Sequence, residues 1–220
     1  MKTADQIERI KRKLETASAT KDAIQVFGAS SHRYILNPPV DETVVTAFEH
    51  HFGITLPECY RSFVTQIGSG GIGYMNSGAG PFYGIFPFGK HLDFFGPDPK
   101  LSLRLPVKIF PGMAKEEWEE LVQIIYADEE VPDDVYEKAE LNMHGGLLTI
   151  GSQGCTYYHA LLLNGQHKGK VVNLDADGYK PIFTHEANFL DWYERWLDEV
   201  ISGKLVDQKI AWFGYNAADN

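Results

Sequence analysis

The sequence predicts an α+β fold: a single domain in which N-terminal helices and a C-terminal helix pack on a mainly antiparallel, twisted sheet. Three observations carry this. Helical periodicity dominates before residue 67, short apolar runs separated by turn residues fill 147–183, and a strongly amphipathic stretch follows them. Helices first, strands next and one helix last favour an antiparallel sheet over a βαβ arrangement.

Taking the elements in order, Thr3 and Gln6 can form a capping box, and Ile7, Ile10, Leu14 and Ala17 recur at helical spacing, so 4–18 is expected to be an amphipathic helix. Asp41 caps a second helix with Val44, Val45, Phe48 and Phe52 as its apolar face and Gly53 as its stop. Leu56-Pro57 opens a third, buried through Tyr60, Phe63, Val64 and Ile67. The glycine-dense run IGSGGIGYMNSGAG (67–80) invites a phosphate-loop reading, but it follows a helix where such a loop follows a strand. It therefore meets carbonyl ends, which repel anions, and no Lys-Ser or Lys-Thr closes it. A turn into sheet is the expectation.

Phe82–Phe88 is expected to be a strand, with Pro87 at an edge or end, and 101–109 a further short strand in a Pro- and Gly-rich region. Trp118, Leu121, Val122 and Ile125 form a helical stripe, and a shorter helix is expected over 133–141. LLTIG, CTYYHALLL, GKVVNLD and YKPIF are short strands, with NGQHKG and Asp177-Gly178 as turns. Thr184 is expected to cap the closing helix, whose stripe is Phe189, Leu190, Tyr193, Trp196, Leu197, Val200 and Ile201.

Composition narrows the function classes. Two cysteines, Cys59 and Cys155, give no disulfide framework and fit reduced thiols. The charged start MKTADQIERIKRKLE has no apolar core for a signal peptide, and no run approaches the roughly 20 apolar residues of a membrane span. A cytoplasmic protein without membrane contact is the expectation. The net charge of −10 argues against direct nucleic-acid binding. Almost all the surplus sits in 115–140, which carries eleven acidic residues against two lysines.

A catalytic or metal constellation is not visible in the order of residues. Cys155 and His159 share a strand face, but four residues at roughly 3.3 Å each put their backbones about 13 Å apart. His50 and His51 diverge by about 100° on a helix, and no His-x-x-x-His or Cys-x-x-Cys pair occurs. Asp175-Ala-Asp177-Gly178 lacks the closing Glu of a calcium loop, and Ser30 and Ser31 lie in no Gly-x-Ser-x-Gly elbow. A non-enzymatic protein without a cofactor or metal is the expectation.

The candidate site is the acidic segment. Its plain reading is a solvated helix face. Its functional reading is a decoy for the basic groove of a partner, with steering by charge and anchoring by aromatics. The candidate partner-binding residues are Glu116, Glu117, Glu119, Glu120, Asp128, Glu129, Glu130, Asp133 and Asp134, with Trp118, Tyr126 or Tyr136 as anchors. Trp192, off the apolar stripe of the last helix, is expected to be an exposed anchor as well.

The stretch FGITLPECYRSFVTQIGSGG (52–71) resembles the SUKH superfamily, which includes a yeast cell-wall synthesis regulator and bacterial immunity proteins. Gly53, Leu56, Pro57, Tyr60, Phe63 and Gly71 match its first motif, and Gly151 and Gly154 the turn before its second hairpin. LLTIGSQGCTYYHALLLNGQHKGKVVNLDADG with FLDWYERWL is similar to the family's sheet and closing helix. The resemblance implies one SUKH-like domain over 1–220, with a helical extension at 1–40 and a long insertion at about 91–144 that contains the acidic segment. The acidic residue that the family often carries near Cys155 or Thr156 is absent. The resemblance further implies a protein partner and no chemistry. The partner would be a toxin domain, such as a nuclease, delivered by a neighbouring cell and neutralised by occlusion. A regulatory scaffold for an endogenous partner is the alternative, and a small-molecule site beside Gly68–Gly80 a third.

Overall fold

A computed structural model describes residues 2–94, 98–127 and 130–206. Its strands are β1 (Leu147–Gly154), β2 (Tyr157–Leu162), β3 (Val171–Asp175) and β4 (Ile182–Phe183), and they form an antiparallel meander in the order β1-β2-β3-β4. The helices are α1 (Lys2–Ala19), α2 (Ala29–His32), α3 (Glu42–Phe52), α4 (Glu58–Gln66), α5 (Pro99–Ser102), α6 (Lys115–Val122), α7 (Asp133–His144) and α8 (Phe189–Ile201). The α+β class with helices around an antiparallel sheet is what the structure shows.

Both faces of the sheet are covered, which explains why the strands read as nearly continuous apolar runs. Leu148, Ile150, Leu161 and Val171 enter one core with α1, α4 and α8. Their strand neighbours Leu147, Ala160, Leu162, Val172 and Leu174 point the other way, into a second core with Trp118, Val122 and Met143 of α6 and α7. Alternation with period two sends successive side chains to opposite faces. Within 91–144, α6 and α7 thus form the second cover.

The first cover is rich in rings. Phe189 sits 5.0 Å from Phe63, and Tyr193 4.6 Å from Phe63. Tyr193 donates its hydroxyl to the Ala79 carbonyl at 3.0 Å, which ties α8 to the end of the glycine-dense loop. That loop follows α4 and turns back through close backbone approach. A Cβ on Gly78 would stand 2.0 Å from the Gly70 carbonyl oxygen, and one on Gly84 1.9 Å from that of Gly78. Only glycine fits there.

Four local expectations need correction. Phe82–Phe88 is not a regular strand. Phe82 and Gly84 have φ of 55° and 95°, which breaks the extended run, and only Ile85 makes bridges, to Gly78 and Gly151. The expected strand at 101–109 gives way at its start to α5, because the Asp98 side chain accepts from Lys100 N and Leu101 N and Pro99 presets the first turn. Asn188, and not Thr184, caps α8, accepting from Leu190 N and Asp191 N. Thr184 is buried with its hydroxyl donated to the Val171 carbonyl. Val44 is 52% exposed, so α3 buries Val45 alone of that pair. By contrast the Asp41 cap forms as expected, accepting from Thr43 N at 2.7 Å, and Gly53 stops α3 in the left-handed region.

Candidate functional site

The acidic segment is built from α6 and α7 lying across the second core. Trp118 and Val122 turn inward, and Trp118 Nε1 donates to the Gly178 carbonyl at 3.1 Å. The opposite side of α6 exposes Glu116, Glu117, Glu119 and Glu120, and Glu130, Asp133 and Asp134 are exposed just before and at the start of α7. Acidic side chains in a first helical turn also favour the helix dipole, so Asp133 and Asp134 have a local role in starting α7. Glu117 has one too, accepting from Ala114 N at 2.7 Å. Among the described residues Glu119 alone of this set has a cationic partner, Lys115 at 3.2 Å. Asp128 and Glu129 lie outside the described residues.

Two rings stand among these carboxylates. Tyr126 is 47% and Tyr136 39% exposed. Tyr126 packs against the β3–β4 turn: a Cβ on Gly178 would meet its ring at 2.1 Å. Burial raises the Tyr126 hydroxyl pKa, and the negative fields of Tyr136, Asp175, Asp177 and Glu140 push it the same way. The expected acidic face is therefore widened by the exposed Asp177, which sequence reasoning read only as part of a turn. No local pattern pairs residue 118 with residue 178, so their contact has no signature in the sequence.

Trp192 does not belong to this face. It is 0% exposed, with its ring 5.0 Å from that of His159 and 5.6 Å from that of Phe189, so the expectation of an exposed anchor there is corrected. Helix α8 is held between the sheet and α1, and a helix covered on two sides buries a wider arc than one stripe. Trp118 is buried as well, leaving the two tyrosines as the outward aromatics of the segment.

The Cys155–His159 pair is separated by environment. Cys155 lies exposed in the β1–β2 turn with φ 49°, whereas His159 is fully buried. Burial pushes the His159 pKa down to about 4, so its ring is neutral, and Nδ1–H donates to Asn173 Oδ1 at 2.8 Å. Gln153 Nε2 donates to the same oxygen at 2.8 Å. This is a polar knot inside the sheet's covered face. Among the described residues no three His, Cys, Asp or Glu side chains are grouped so as to hold a metal ion, and no helix is long and apolar enough to cross a membrane.

Residues 39–195 match the model of the SMI1 / KNR4 family (SUKH-1). The chain belongs to this family. The SUKH-1 match takes in α3, α4, the glycine-dense loop, the acidic helices, the whole sheet and the first half of α8, while α1 lies before it. No curated protein and no solved structure matches the chain. Membership supports, in general terms, a domain that binds another protein in an immunity or regulatory role.

Proposed function

We propose that this SUKH-1 domain is a cytoplasmic, non-enzymatic immunity protein that neutralises a bacterial toxin domain, of nuclease type, by occluding it with the acidic face. The observation that supports this best is the pairing of exposed rings with carboxylates that have no cationic partner among the described residues, on a packed support. Tyr126 and Tyr136 stand among Glu116, Glu117, Glu120, Glu130, Asp133 and Asp134, and α6 and α7 are fixed to the sheet through Trp118, Val122 and Met143. Asp128 and Glu129 continue the same acidic run in the sequence. A nuclease groove that receives a phosphate backbone is basic, and a carboxylate surface mimics that charge. Steering brings the partners together, and aromatic anchors slow their separation.

The test is a titration calorimetry and stopped-flow measurement against the toxin domain encoded beside this chain's gene. Binding at micromolar concentration or tighter is expected. Replacing Glu116, Glu117, Glu119 and Glu120 together by Lys should slow association by about tenfold or more at low salt. An unchanged on-rate removes the acidic face from the mechanism. No binding to a confirmed neighbouring toxin, with a stable complex recovered from unstressed cells, moves the domain to the regulatory class.

A further inference from the structure

Away from the acidic face, a cleft of about 300 Å³ lies between the 109–113 segment and the 180–185 segment that contains β4. That volume is at the lower end of the range for small-ligand sites. Phe110 and Met113 line it from one segment, Ile182 and Phe183 from the other, and Lys170 and Lys180 line it as well. No Asp or Glu is among its lining residues, and neither is any arginine.

The two ammonium groups are held in a particular way. Lys180 Nζ donates to the Met113 carbonyl at 3.0 Å, bridging the two segments. Lys170 Nζ donates to the Glu186 carbonyl at 2.7 Å and to that of His185 at 3.4 Å. Each ammonium carries three protons, so both keep at least one donor uncommitted. Among the described residues neither lysine has a carboxylate within ion-pair distance. The nearby Glu186 carboxylate pairs with Arg195. Lys170 is half-buried; burial lowers its pKa, and the field of the nearby Glu186 carboxylate partly offsets this. Withdrawing a cation from water costs free energy unless an anion meets it. On a chain with net charge −10, two lysines line one cleft that has no carboxylate among its own lining residues, and the neighbouring acid, Glu186, is already paired with Arg195.

We propose that this cleft binds a small carboxylate carried on an apolar body, such as a medium-chain fatty acid or an arylalkanoic acid. The carboxylate accepts from Lys170 and Lys180, and the body lies against Phe110, Met113, Ile182 and Phe183. The donor set lacks the fork of an arginine and the amides of a helix N-terminus, the groups that commonly mark phosphate sites, and octyl phosphate serves as the competing probe.

Octanoate, 1-octanol and octyl phosphate, titrated separately into the full chain and followed by amide shifts and calorimetry, test it. Octanoate should bind saturably, with shifts at Gly112, Thr184 and His185. Octanol should bind about tenfold more weakly or less, and Lys180→Met should weaken octanoate by about tenfold. Lys170→Met should do the same; because that side chain also holds two carbonyls, its circular dichroism is checked first, and Lys180→Met decides if it fails to fold. The proposal is overturned by no saturable shift up to roughly 10 mM, a ligand affinity near the weakest of practical interest. It is equally overturned by octanol binding as well as octanoate, by an unchanged Lys180→Met, or by octyl phosphate binding about tenfold tighter than octanoate. None of these readouts depends on the toxin titration.

Discussion

One face of the sheet meets α1, α4 and α8 through Phe63, Phe189, Trp192, Tyr193 and Trp196, while the other meets α6 and α7 through Trp118, Val122 and Met143. The first cover is thick and ringed, and its helices are joined by charge: Glu194 of α8 accepts from Arg9 at 2.9 Å, Lys13 at 2.9 Å and Gln6 at 3.0 Å of α1. The second cover is thin, and its outer side carries repelling carboxylates. A layer that holds the fold together by aromatic burial leaves the opposite layer free to spend its surface on charge. Under the proposed function, stability and recognition fall to different faces of one sheet.

The sharpest way to break this division is to cut rings from the first cover. Trp192→Ala or Trp196→Ala should cost about 3–5 kcal/mol, as large aromatic truncations in a packed core do. Val122→Ala in the second cover should cost about 2 kcal/mol or less, because fewer atoms are lost and α6 can settle onto the sheet. Urea unfolding curves of the variants measure both. Equal losses would mean that the two covers share the load.

Acid should come next in size. Burial pushes His32, His144 and His159 down to about 4 from an ordinary 6.5, so the unfolded chain takes up protons that the folded chain refuses. Stability should therefore fall as pH drops from 6.5 towards 4, by up to about 3 kcal/mol for each histidine. Glu194 adds to this further down. Burial raises its pKa, but hydrogen bonds from Arg9, Lys13 and Gln6 outweigh that and hold it at about 2. Its contribution is complete above the unfolded value of 4.5 and is lost as pH falls towards 2. Because Arg9 is half exposed, that contribution is discounted to about 1–2 kcal/mol. Glu194→Gln should remove it and flatten the lower limb of the pH–stability curve. His159→Gln should flatten the upper limb.

The smallest stability effect should come from the face proposed for recognition. Reversing Glu116, Glu117, Glu119 and Glu120 to Lys should shift unfolding by about 0.5 kcal/mol per site or less, since exposed positions away from caps and cores tolerate change. Glu117, which caps Ala114 N, should be the costliest of the four. A large destabilisation from the set would tie this surface to folding and blur the contrast with the ringed cover.

Parts of this architecture could be read from residue order and parts could not, for reasons that are local. The Asp41 cap, the Gly53 stop and the Asp177-Gly178 turn are signalled within four residues of where they act, and each forms. For α8 the sequence reading puts the cap at Thr184, a capping type that lies four residues before the true cap. The structure chooses Asn188 once Thr184 is drawn to the Val171 carbonyl of β3, a partner thirteen residues away. The run at 82–88 has strand composition, yet Gly84 must sit against Gly78 at a positive φ, a demand set by tertiary contact. For the candidate site, the charge of 115–140 and the inward stripe of α6 were legible. The burial of Trp192 was not, because helical periodicity marks one stripe and α8 is covered on two sides. Nor was the joining of Asp177 to the acidic face, which depends on Trp118 reaching the Gly178 carbonyl.

One consequence follows from how the meander ends. The outer side of β1 is occupied, since Phe86 N donates to Ile150 O and Tyr83 N to Ser152 O, so the 83–86 segment sits where a foreign strand would add. The other border is β4, two residues long and preceded by Pro181. Short borders and prolines give templated assembly little to extend from. Neither border of the sheet therefore offers a foreign strand much backbone to pair with.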